Sequence, residues 1–515
     1  MRGNSGLRSL YIALVFATLF VLIIILQILS IETNNNNSSN HLNNNIMKNN
    51  GMSGRFKLFS KKSDEKDIFS QKNSDKLENI IDLKYSTHSM NVMLTETNQS
   101  NKWDLNFGQI KSDHWQKVPN SGHKFYVFSA YYDNRSLQNR FIRVIAATKT
   151  RTNEKVYCKL WYAHTYQAVT VNAINKLIHE NWNLKYSAYF ILCPLFTHIP
   201  VPDAVSLFIG DYHHINEQTL MHSNKLFIHN KFETNSQPID NQPNAEHIAV
   251  CIKPLHYHYN KVLNLIEFIE LNRILGVRHF FFYNHTIGAD VDCALRQYID
   301  EGFITILSWD LNMESQKEIR TEGLFAALND CLYRAMNRFK YVLMIDIDEL
   351  IIPYRHSSLT LMLKTMNKVN GDRTGGYSFR NAFFYTQWPD DTSVANYMEY
   401  SLQTLLKTRR KSQLNLHKQR SKCIVIPNRV IEMGNHFVWE FMAPNMMVNV
   451  DPRFAALHHY RVCEFGGDDC IKSDSLVERR VHIWRQQLIT SVNDFITNRS
   501  SQKCHLNYLK TKGRA

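Results

Sequence analysis

A group of acidic side chains that follows an apolar segment is the part of this sequence best suited to chemistry. Asp346, Asp348 and Glu349 come directly after residues 341–345, a run of Tyr, Val, Leu, Met and Ile. Carboxylates at the end of a buried strand are costly unless positive charge meets them. Mg²⁺ or Mn²⁺ supplies such charge with few protein ligands when a diphosphate completes its shell. Since alternate residues of an extended chain point to the same side, Asp346 and Asp348 are predicted to share a metal ion.

The alternative for the two aspartates is a structural role as caps of a loop or a helix end. Their position after a buried strand favours the metal site, because ligands of open α/β sheets bind beyond the carboxyl ends of the strands. The chain has neither a G-x-G-x-x-G nor a G-x-x-x-x-G-K-[ST] motif, which argues against a dinucleotide enzyme and a P-loop NTPase. A nucleotide diphosphate held through metal agrees with these findings.

A basic segment follows later in the chain. Its members are Lys407, Arg409, Arg410, Lys411, Lys418, Arg420 and Lys422. A solvated charged surface is the simpler explanation for most of them. Lys422 directly precedes the apolar residues 423–426, so a strand would position it, and it is predicted to bind substrate by neutralising the departing diphosphate. Glu349, beside the acidic pair, is predicted to contact substrate as well.

Histidines in the C-terminal part of the predicted catalytic domain are candidates for a further metal ligand. His458 and His459 are adjacent and follow an apolar run. Only one of two neighbouring side chains can face a given site if the backbone is extended. His436 is a further candidate, although a single histidine is more often structural than a ligand.

Carboxylates and aromatic residues after residue 376 are candidates for binding and activating an acceptor. A carboxylate can take the proton of an acceptor hydroxyl; Asp391 is predicted to be this base, with Glu440 as its competitor. Trp388 is predicted to stack on a sugar ring. Core packing is the simpler role for most other aromatic residues of this segment.

The elements that must position these residues alternate between strand and helix. Apolar runs predict strands at 248–252, 277–283, 303–307 and 341–345, and apolar residues at helical spacing predict helices that start near 262 and occupy 291–300 and 322–338. This succession predicts an α/β fold with a mostly parallel, Rossmann-type sheet that has helices on both faces. A β-rich accessory region is predicted to precede it at 123–245, and the catalytic domain is assigned to 246–470.

The remaining segments predict a membrane-anchored protein. Residues 10–31 are almost wholly apolar, and about 20 such residues suffice to cross a bilayer as a helix. Arginines precede this segment, so residues 1–9 are predicted to be cytoplasmic and the rest of the chain lumenal. The Asn-rich residues 32–115 are predicted to be a disordered stem, and residues 471–515 a helical tail.

The net charge and the predicted location limit the classes of binding partner. The net charge is +14, which favours anionic partners unless the basic residues only solvate the surface. A lumenal location excludes nucleic acid.

All nine cysteines follow residue 31, where disulfides can form, and the odd number leaves at least one thiol free or paired between chains. Cys463 and Cys470 are close enough to close a small loop; the other pairings stay open.

Several spaced motifs, taken together, resemble glycosyltransferase family 92. They are SAYYDNR at 129–135, CIKPL at 251–255, IELNRILG at 269–276, DCL at 330–332, DIDE at 346–349 and HYR at 459–461. The resemblance covers about residues 123–470. It implies a GT-A-like fold and inverting transfer of galactose from UDP-galactose, onto fucose of N-glycan cores in well-known members. The family's Asp-x-Asp corresponds to Asp346 and Asp348, and its late histidine to His459 as a metal ligand.

The sequence therefore predicts a metal-dependent, inverting glycosyltransferase of the Golgi membrane that uses a nucleotide-sugar donor and a glycan or glycoprotein acceptor. The alternative is a non-catalytic glycan-binding membrane protein on a transferase scaffold, which loss of Asp346 or Asp348 would have favoured. A lumenal metal-dependent hydrolase is a further alternative, but hydrolases of that kind use a richer cluster of His and Asp than this sequence shows.

Overall fold

The computed structural model describes residues 93–94 and 113–510, apart from 137–138, 164–167, 197–198, 211–223, 232–246, 396, 465–466 and 501–503. The predicted cytoplasmic tail (1–9), the predicted anchor (10–31) and most of the predicted stem (32–115) lie outside the described residues. Among the helices of the described ranges, none is both long and apolar enough to cross a membrane.

Short strands and a smaller number of helices make up the described residues. The first strands are β1 Met93–Leu94, β2 Gln116–Lys117, β3 Tyr126–Asp133, β4 Arg140–Lys149, β5 Val156–Trp161, β6 Val169–Asn172, β7 Ile174–Leu177, β8 Tyr186–Leu195, β9 Ala204–Ile209 and β10 Leu226–Phe227. The later strands are β11 Ile248–Cys251, β12 Val277–Asn284, β13 Ile304–Ser308, β14 Tyr341–Met344, β15 Glu349–Pro353, β16 Thr374–Phe379, β17 Asn381–Tyr385, β18 Arg409–Lys411, β19 Lys422–Val425, β20 Val430–Met433, β21 Val438–Phe441, β22 Met446–Asn449, β23 Ala455–Arg461 and β24 Ser475–Val477. The helices are α1 Val262–Ile274, α2 Ala289–Asp300, α3 Leu324–Ala335, α4 Leu359–Asn370, α5 Thr392–Ala395, α6 Gln403–Leu406 and α7 Arg485–Asp494.

The strands β1 to β10 form two antiparallel sheets that share a core. Their orders are β1-β6-β5-β9-β10 and β2-β3-β4-β8-β7. Val144 of one sheet and Leu160 of the other belong to the same buried cluster. The Cys158–Cys193 disulfide joins β5 to β8, so a covalent bond also links the two sheets. These sheets are called the accessory region below.

A seven-stranded sheet, with the order β13-β12-β11-β14-β19-β16-β22, forms the centre of the rest of the chain. The strands β13, β12, β11 and β14 are parallel. By contrast, β19 runs antiparallel to both β14 and β16. The predicted α/β class is therefore present, but the sheet is mixed rather than of one doubly wound type. Parallel neighbouring strands require crossover connections. The connections after β14 are not all of this kind, so β19 runs in the opposite direction to its neighbours.

Alternation along the central strands divides their side chains between two cores. Ile248 and Val250 of β11 belong to the cluster that α1, α2 and α4 cover. Ala249 and Cys251 point to the opposite face, where they meet α3 and apolar residues of the accessory region. Gly276 ends the α1 segment at a φ of 108°, and a Cβ there would lie 2.5 Å from the Thr360 hydroxyl, so only glycine fits this turn.

Smaller elements complete the domain beside the central sheet. A three-stranded sheet has the order β15-β23-β17, and Glu349 of β15 pairs with His459 of β23 in the antiparallel register. The segment predicted as a C-terminal tail contributes Trp484, Leu488 and Val492 to the main core. Its packing is therefore that of an integral part of the domain.

The cysteines pair within the described residues. The disulfides are Cys158–Cys193, Cys251–Cys331, Cys293–Cys504 and Cys463–Cys470. The predicted Cys463–Cys470 loop is confirmed. The ninth cysteine, Cys423, is buried and has no disulfide partner, which accounts for the odd number.

Candidate active site

Asp346 lies at the carboxyl end of β14, where the two neighbouring strands of the sheet place lysines beside it. Lys253 follows β11, and its Nζ is 2.9 Å from Asp346 Oδ2. Lys422 begins β19, and its Nζ is 3.3 Å from the same oxygen. Because β14 lies between β11 and β19, the order of the strands itself brings the carboxylate and the two ammonium groups together.

Charge pairing decides the ionisation of these groups. Burial alone would raise the pKa of Asp346, but the ammonium groups of Lys253 and Lys422 outweigh it and hold that pKa well below its ordinary value. Burial likewise opposes the charge of both lysines, yet the adjacent carboxylate raises their pKa. The three side chains are therefore ionised at neutral pH.

Asp348 is the open member of the acidic pair. Its side chain is 47% exposed, and its Oδ2 lies 3.2 Å from His459 Nε2. Partial burial opposes ionisation of Asp348, but the hydrogen bond with His459 lowers its pKa. The backbone N–H of Tyr460 donates to the Asp348 carbonyl, so the strand that carries His459 also fixes the aspartate's backbone.

Glu349 ties this group together from beneath. Its side chain is buried, and one oxygen accepts the Asp346 backbone N–H at 3.0 Å and lies 3.5 Å from Lys422 Nζ. The other oxygen is 3.2 Å from His459 Nδ1, which Asn381 Nδ2 also contacts at 3.1 Å. Burial, followed by the neighbouring Asp346 charge, raises the pKa of Glu349. Its contacts are those of a residue that positions the others.

The turn between β20 and β21 reaches the same lysine from the other side. Asn435 Oδ1 accepts a hydrogen bond from Lys422 Nζ at 3.0 Å. The backbone N–H of Asn435 donates at 2.9 Å to Glu180 of the accessory region. The ring of His436 contacts neutral groups: its Nδ1 is 3.2 Å from the Ser421 carbonyl and its Nε2 is 3.1 Å from Asn435 Nδ2. Burial lowers its pKa to about 4.

Comparison with known proteins agrees with this geometry. The sequence profile of glycosyltransferase family 92 matches residues 246–504, which include every residue of the acidic group and both lysines. The chain belongs to glycosyltransferase family 92. The candidate site therefore lies within the matched region, and the resemblance that the spaced motifs indicate is confirmed.

Individual relatives of this family-92 protein are distant. A Caenorhabditis elegans protein named beta-1,4-galactosyltransferase galt-1 is 22% identical over 364 residues, 69% of this chain and 77% of the relative. Another from the same organism, glycosyltransferase family 92 protein F13G3.3, is 23% identical over 228 residues, 42% of either chain. A solved glucosyl-3-phosphoglycerate synthase from Mycobacterium tuberculosis is 12% identical with a TM-score of 0.20, over 36% of this chain and 58% of that one.

The structure of this glycosyltransferase gathers most of the predicted site residues in one place. Asp346, Asp348, Glu349, Lys422 and His459 form a connected group through the contacts given above. His458, the neighbour of His459, points to the opposite side of β23, where burial lowers its pKa to about 3. The prediction that one of the two histidines faces the acids therefore holds, and the structure identifies it as His459.

Sequence reasoning missed several members of the group. Lys253 belongs to the CIKPL motif, which by itself assigns it no role. It follows β11 as Asp346 follows β14, so the rule that ligands bind at the carboxyl ends of strands points to it. Asn381 and Asn435 carry no signal of that kind, because their contacts depend on which distant strands become neighbours.

Other predicted residues lie apart from this group. Asp391 accepts hydrogen bonds from Arg479 Nε at 2.6 Å, Ser393 Oγ at 2.7 Å and Thr408 Oγ1 at 3.0 Å. Burial opposes ionisation of Asp391, but these donors hold its pKa far below the ordinary value. Trp388 is buried, and its indole N–H donates to the Ile471 carbonyl at 2.9 Å. The roles of Asp391 and Trp388 toward an acceptor stay predictions.

Glu440, the other predicted base, belongs to a separate group where β20 and β21 contact the accessory region. Within the described ranges, His179, Glu432 and Glu440 bring three ligand atoms within 4.8 Å of one another. Lys176 forms an ion pair with Glu440, and Glu432 accepts the His179 backbone N–H at 2.7 Å and contacts its Nδ1 at 2.9 Å. Both carboxylates of this group therefore already have side-chain partners, Lys176 for Glu440 and His179 for Glu432.

The donor chemistry of the Asp346 group fits a hard divalent ion. Both contacts that Asp346 makes with lysine use Oδ2, and Asp348 exposes much of its carboxylate. Carboxylate oxygens with one imidazole are ligands that Mn²⁺ accepts, and Mg²⁺ needs one or two carboxylates when phosphate oxygens supply the rest. Asp346, Asp348 and His459 are therefore the residues that would hold the ion.

Proposed function

We propose that this glycosyltransferase is metal-dependent and inverting, and that it transfers galactose from UDP-galactose to a glycan, such as fucose of an N-glycan core. The observation that carries the proposal is the position of Asp346 and Asp348 just after β14, with Lys253 and Lys422 both paired with Asp346. Support for the sugar comes from galt-1, a relative named as a galactosyltransferase. We further propose that the four parallel strands and this acidic pair belong to a GT-A-like fold.

Mn²⁺ or Mg²⁺, held by Asp346, Asp348 and His459, would supply positive charge that stabilises the departing diphosphate. The chain's own contribution is a second source of such charge. Lys422 is buried and Lys253 is 37% exposed. A bound diphosphate would contact these two ammonium groups in place of the glycine-rich loop that other nucleotide-binding proteins use. Ammonium groups fixed in advance stabilise charge that develops on the leaving group without reorganising during the reaction.

Glu349 and Asn435 act on the lysine rather than on substrate in this proposal. Glu349 Oε2 lies 3.5 Å from Lys422 Nζ, and Asn435 Oδ1 accepts from it at 3.0 Å. A lysine held from two sides loses little side-chain entropy when the diphosphate binds. Inversion then follows from a single displacement, in which the acceptor oxygen attacks the anomeric carbon from the face opposite the diphosphate.

The cellular placement is also proposed, on sequence grounds. Residues 10–31 would anchor the protein in the Golgi membrane with the catalytic domain in the lumen. Alkaline carbonate extraction of expressing cells tests the anchor: the full chain should stay with the membranes, and a chain that lacks residues 10–31 should not. Recovery of the full chain in the soluble fraction would remove the anchor from the proposal.

Nucleotide release by the full chain in detergent tests the enzymatic proposal. UDP- and GDP-sugars would be offered with Mn²⁺, with and without a fucosylated N-glycan glycopeptide. We expect release from UDP-galactose that EDTA abolishes and that Asp348→Ala lacks, while Asp292→Ala, on the exposed face of α2, matches the wild type. A folded protein that releases nucleotide from no donor would favour the alternative, a non-catalytic glycan-binding protein.

A further inference from the structure

The proposed reaction needs a group that takes the proton of the acceptor hydroxyl, and the two predicted candidates are poorly placed for it. Asp391 is bound by Arg479 at 2.6 Å, and Glu440 forms an ion pair with Lys176. A base already paired with a cation has lost much of its affinity for a proton. Neither carboxylate forms a hydrogen bond or ion pair with the Asp346 group among the described residues.

Glu180, between β7 and β8 of the accessory region, has the contacts that a positioned base requires. Its Oε2 accepts the Asn435 backbone N–H at 2.9 Å and the Trp439 indole N–H at 3.3 Å. Within the described part of the chain, Oε1 has no hydrogen-bond partner and no cation lies within ion-pair distance of the carboxylate. One oxygen is thus held by neutral donors, and the other remains available.

The fit of this carboxylate against the β20–β21 turn is close. A Cβ at Gly434 would lie 2.6 Å from Glu180 Oε2 and 2.7 Å from the Trp439 ring. Only glycine at this position allows both side chains to approach the turn. The contact between the accessory region and the turn is therefore built into the sequence of both segments.

A short chain of contacts connects Glu180 with the proposed diphosphate site. Asn435 Oδ1 accepts a hydrogen bond from Lys422 Nζ at 3.0 Å, and the Asn435 backbone N–H donates to Glu180 at 2.9 Å. Lys422 in turn contacts Asp346 at 3.3 Å. Asn435 therefore separates the carboxylate from the lysine that would face the leaving group, so an acceptor beside Glu180 would lie next to the donor.

Aromatic rings line the same place. The His179 ring is stacked on Trp439, with centroids 5.4 Å apart and planes 9° from parallel, and Phe437 lies 4.8 Å from Trp439. The His179 side chain is 51% exposed, and the other two rings are partly exposed. The faces of aromatic rings carry negative potential, which suits the C–H groups of a sugar ring, and polar groups beside such rings are typical of ligand sites.

We propose that Glu180 is the general base of the transfer and that His179, Trp439 and Phe437 form the surface that holds the acceptor sugar. This inference rests on the proposed function. Glu180 Oε1 takes the proton of the acceptor hydroxyl, whose oxygen forms a bond to the anomeric carbon of the nucleotide-sugar. The bond from that carbon to the diphosphate oxygen breaks, and its electron pair leaves with the diphosphate.

Glu180 and His179 lie outside the region that matches the family. Glu180 and His179 precede the match to family 92, which begins at residue 246. The accessory region would thus supply the base and part of the acceptor site, while the matched region supplies the donor site. Acceptor choice could then vary between relatives without change at Asp346 or Asp348.

The test compares Glu180→Gln with the wild-type full chain in the Mn²⁺-dependent transfer assay. Glutamine keeps an oxygen that accepts from Asn435 and Trp439, but its amide nitrogen cannot take a proton. We expect kcat for transfer to fall about 10²- to 10⁴-fold, while calorimetric titration with UDP and Mn²⁺ gives an unchanged Kd. Trp439→Ala should raise the acceptor KM about tenfold, since an aromatic contact contributes up to about 1.5 kcal/mol.

Glu154→Gln is the matched control. Glu154 is a carboxylate of the same accessory region that accepts from Ser121 Oγ and the Gly122 backbone N–H, each at 2.8 Å, and it should leave transfer unchanged. If Glu180→Gln keeps kcat within about threefold of the wild type, the base assignment is overturned while the proposed function stands. If the wild type itself turns over no donor, the proposed function fails and this inference fails with it.

Discussion

Two buried groups of charged side chains lie at the central sheet, and they differ in whether any carboxylate is left open. Asp330 of α3 is fully buried. It accepts hydrogen bonds from the Ser129 hydroxyl, from Tyr131 and Tyr283 at 2.7 Å each, and from Arg334 Nε at 3.1 Å. Both of its oxygens are occupied, so the group is sealed. We call it the sealed group.

The Asp346 group also combines buried carboxylates with cations, but it leaves carboxylate oxygens open. Lys253 and Lys422 meet a single oxygen of Asp346, and Asp348 beside it is 47% exposed. Carboxylates with spare oxygens can accept a ligand, whereas saturated carboxylates hold neighbouring elements together. The number of partners that each carboxylate has, rather than its burial or charge, therefore distinguishes the structural group from the candidate active site.

The sealed group also joins two parts of the molecule. Ser129 and Tyr131 belong to β3 of the accessory region, and Asp330 belongs to α3 of the family-92 region. Their hydrogen bonds hold the accessory region against the central sheet. Changes in the sealed group should therefore alter stability, and changes in the open group should alter activity.

Asp330→Asn should produce the largest effect and should act on stability. The amide removes the charge that Arg334 faces, although Asp113 still contacts that arginine at 3.2 Å. Breaking a buried ion pair on one side costs about 3–5 kcal/mol. Chemical denaturation would show this loss in the free energy of unfolding, with nucleotide release per folded molecule preserved.

Asp292→Asn is the control for that comparison, because its pair with Arg296 is exposed on α2. Such pairs contribute about 0–1 kcal/mol. Equal stability losses in the two variants would show that the sealed group is no more than an ordinary surface ion pair.

Asp348→Ala should do the opposite and act on activity alone. Loss of one group that holds charge at the leaving diphosphate is expected to lower kcat about 10²- to 10³-fold, or about 2.7–4 kcal/mol. The exposed side chain should cost at most about 0.5 kcal/mol of stability. Nucleotide release and thermal unfolding, measured on the same sample, check both parts; a large drop in Tm would mean that the open group is structural too.

Removal of the Cys251–Cys331 disulfide, which ends on the same helix as Asp330, should lower stability by a smaller amount. This bond joins β11 to α3 across a sequence separation of 80 residues, and disulfides typically contribute about 2–4 kcal/mol, more for longer loops. Paired alanine substitutions should lower the free energy of unfolding by that amount. The Cys463–Cys470 bond closes a separation of 7 residues, so the same change there should cost less, and the reverse order would contradict the account.

The sequence indicates the open group better than the sealed one. Asp346, Asp348 and Glu349 follow an apolar run directly, so their chemistry is legible from adjacent residues. Asp330 appears as part of a motif without a partner, because its contacts with Ser129 and Tyr131 span about 200 positions of the chain. Periodicity gives strands and helices, but not which distant strands become neighbours.

The same limit explains the other misses. Lys253 reaches Asp346 only because β11 lies between β12 and β14 in the sheet, an order that the chain sequence does not follow. Glu180 reaches Asn435 across 255 positions, between regions that the sequence treats as separate. The mixed direction of the sheet arises likewise from the strands after β14, whose pairing partners periodicity leaves open.

The smallest expected effect is a pH dependence of stability from His279. His279 is a buried residue of β12, with Nε2 2.8 Å from Thr305 Oγ1. Burial, and then the nearby Arg338, lowers its pKa to about 4. The folded state therefore favours neutral imidazole: this contribution is complete above pH 6.5, the pKa of an unperturbed histidine, and is lost as pH falls toward 4. Between pH 7 and pH 5 it should amount to about 2 kcal/mol.

His279→Gln should remove that part of the acid sensitivity, because glutamine can still contact Thr305 but does not titrate. The free energy of unfolding of wild type and variant, measured by urea denaturation at pH 7 and pH 5, should converge at the lower pH. Other histidines whose pKa is lowered by partial burial, such as His417, titrate in both proteins and cancel in the difference. A difference that is the same at both pH values would show that His279 is protonated at pH 5 in the folded protein, and that this buried position accepts a charge.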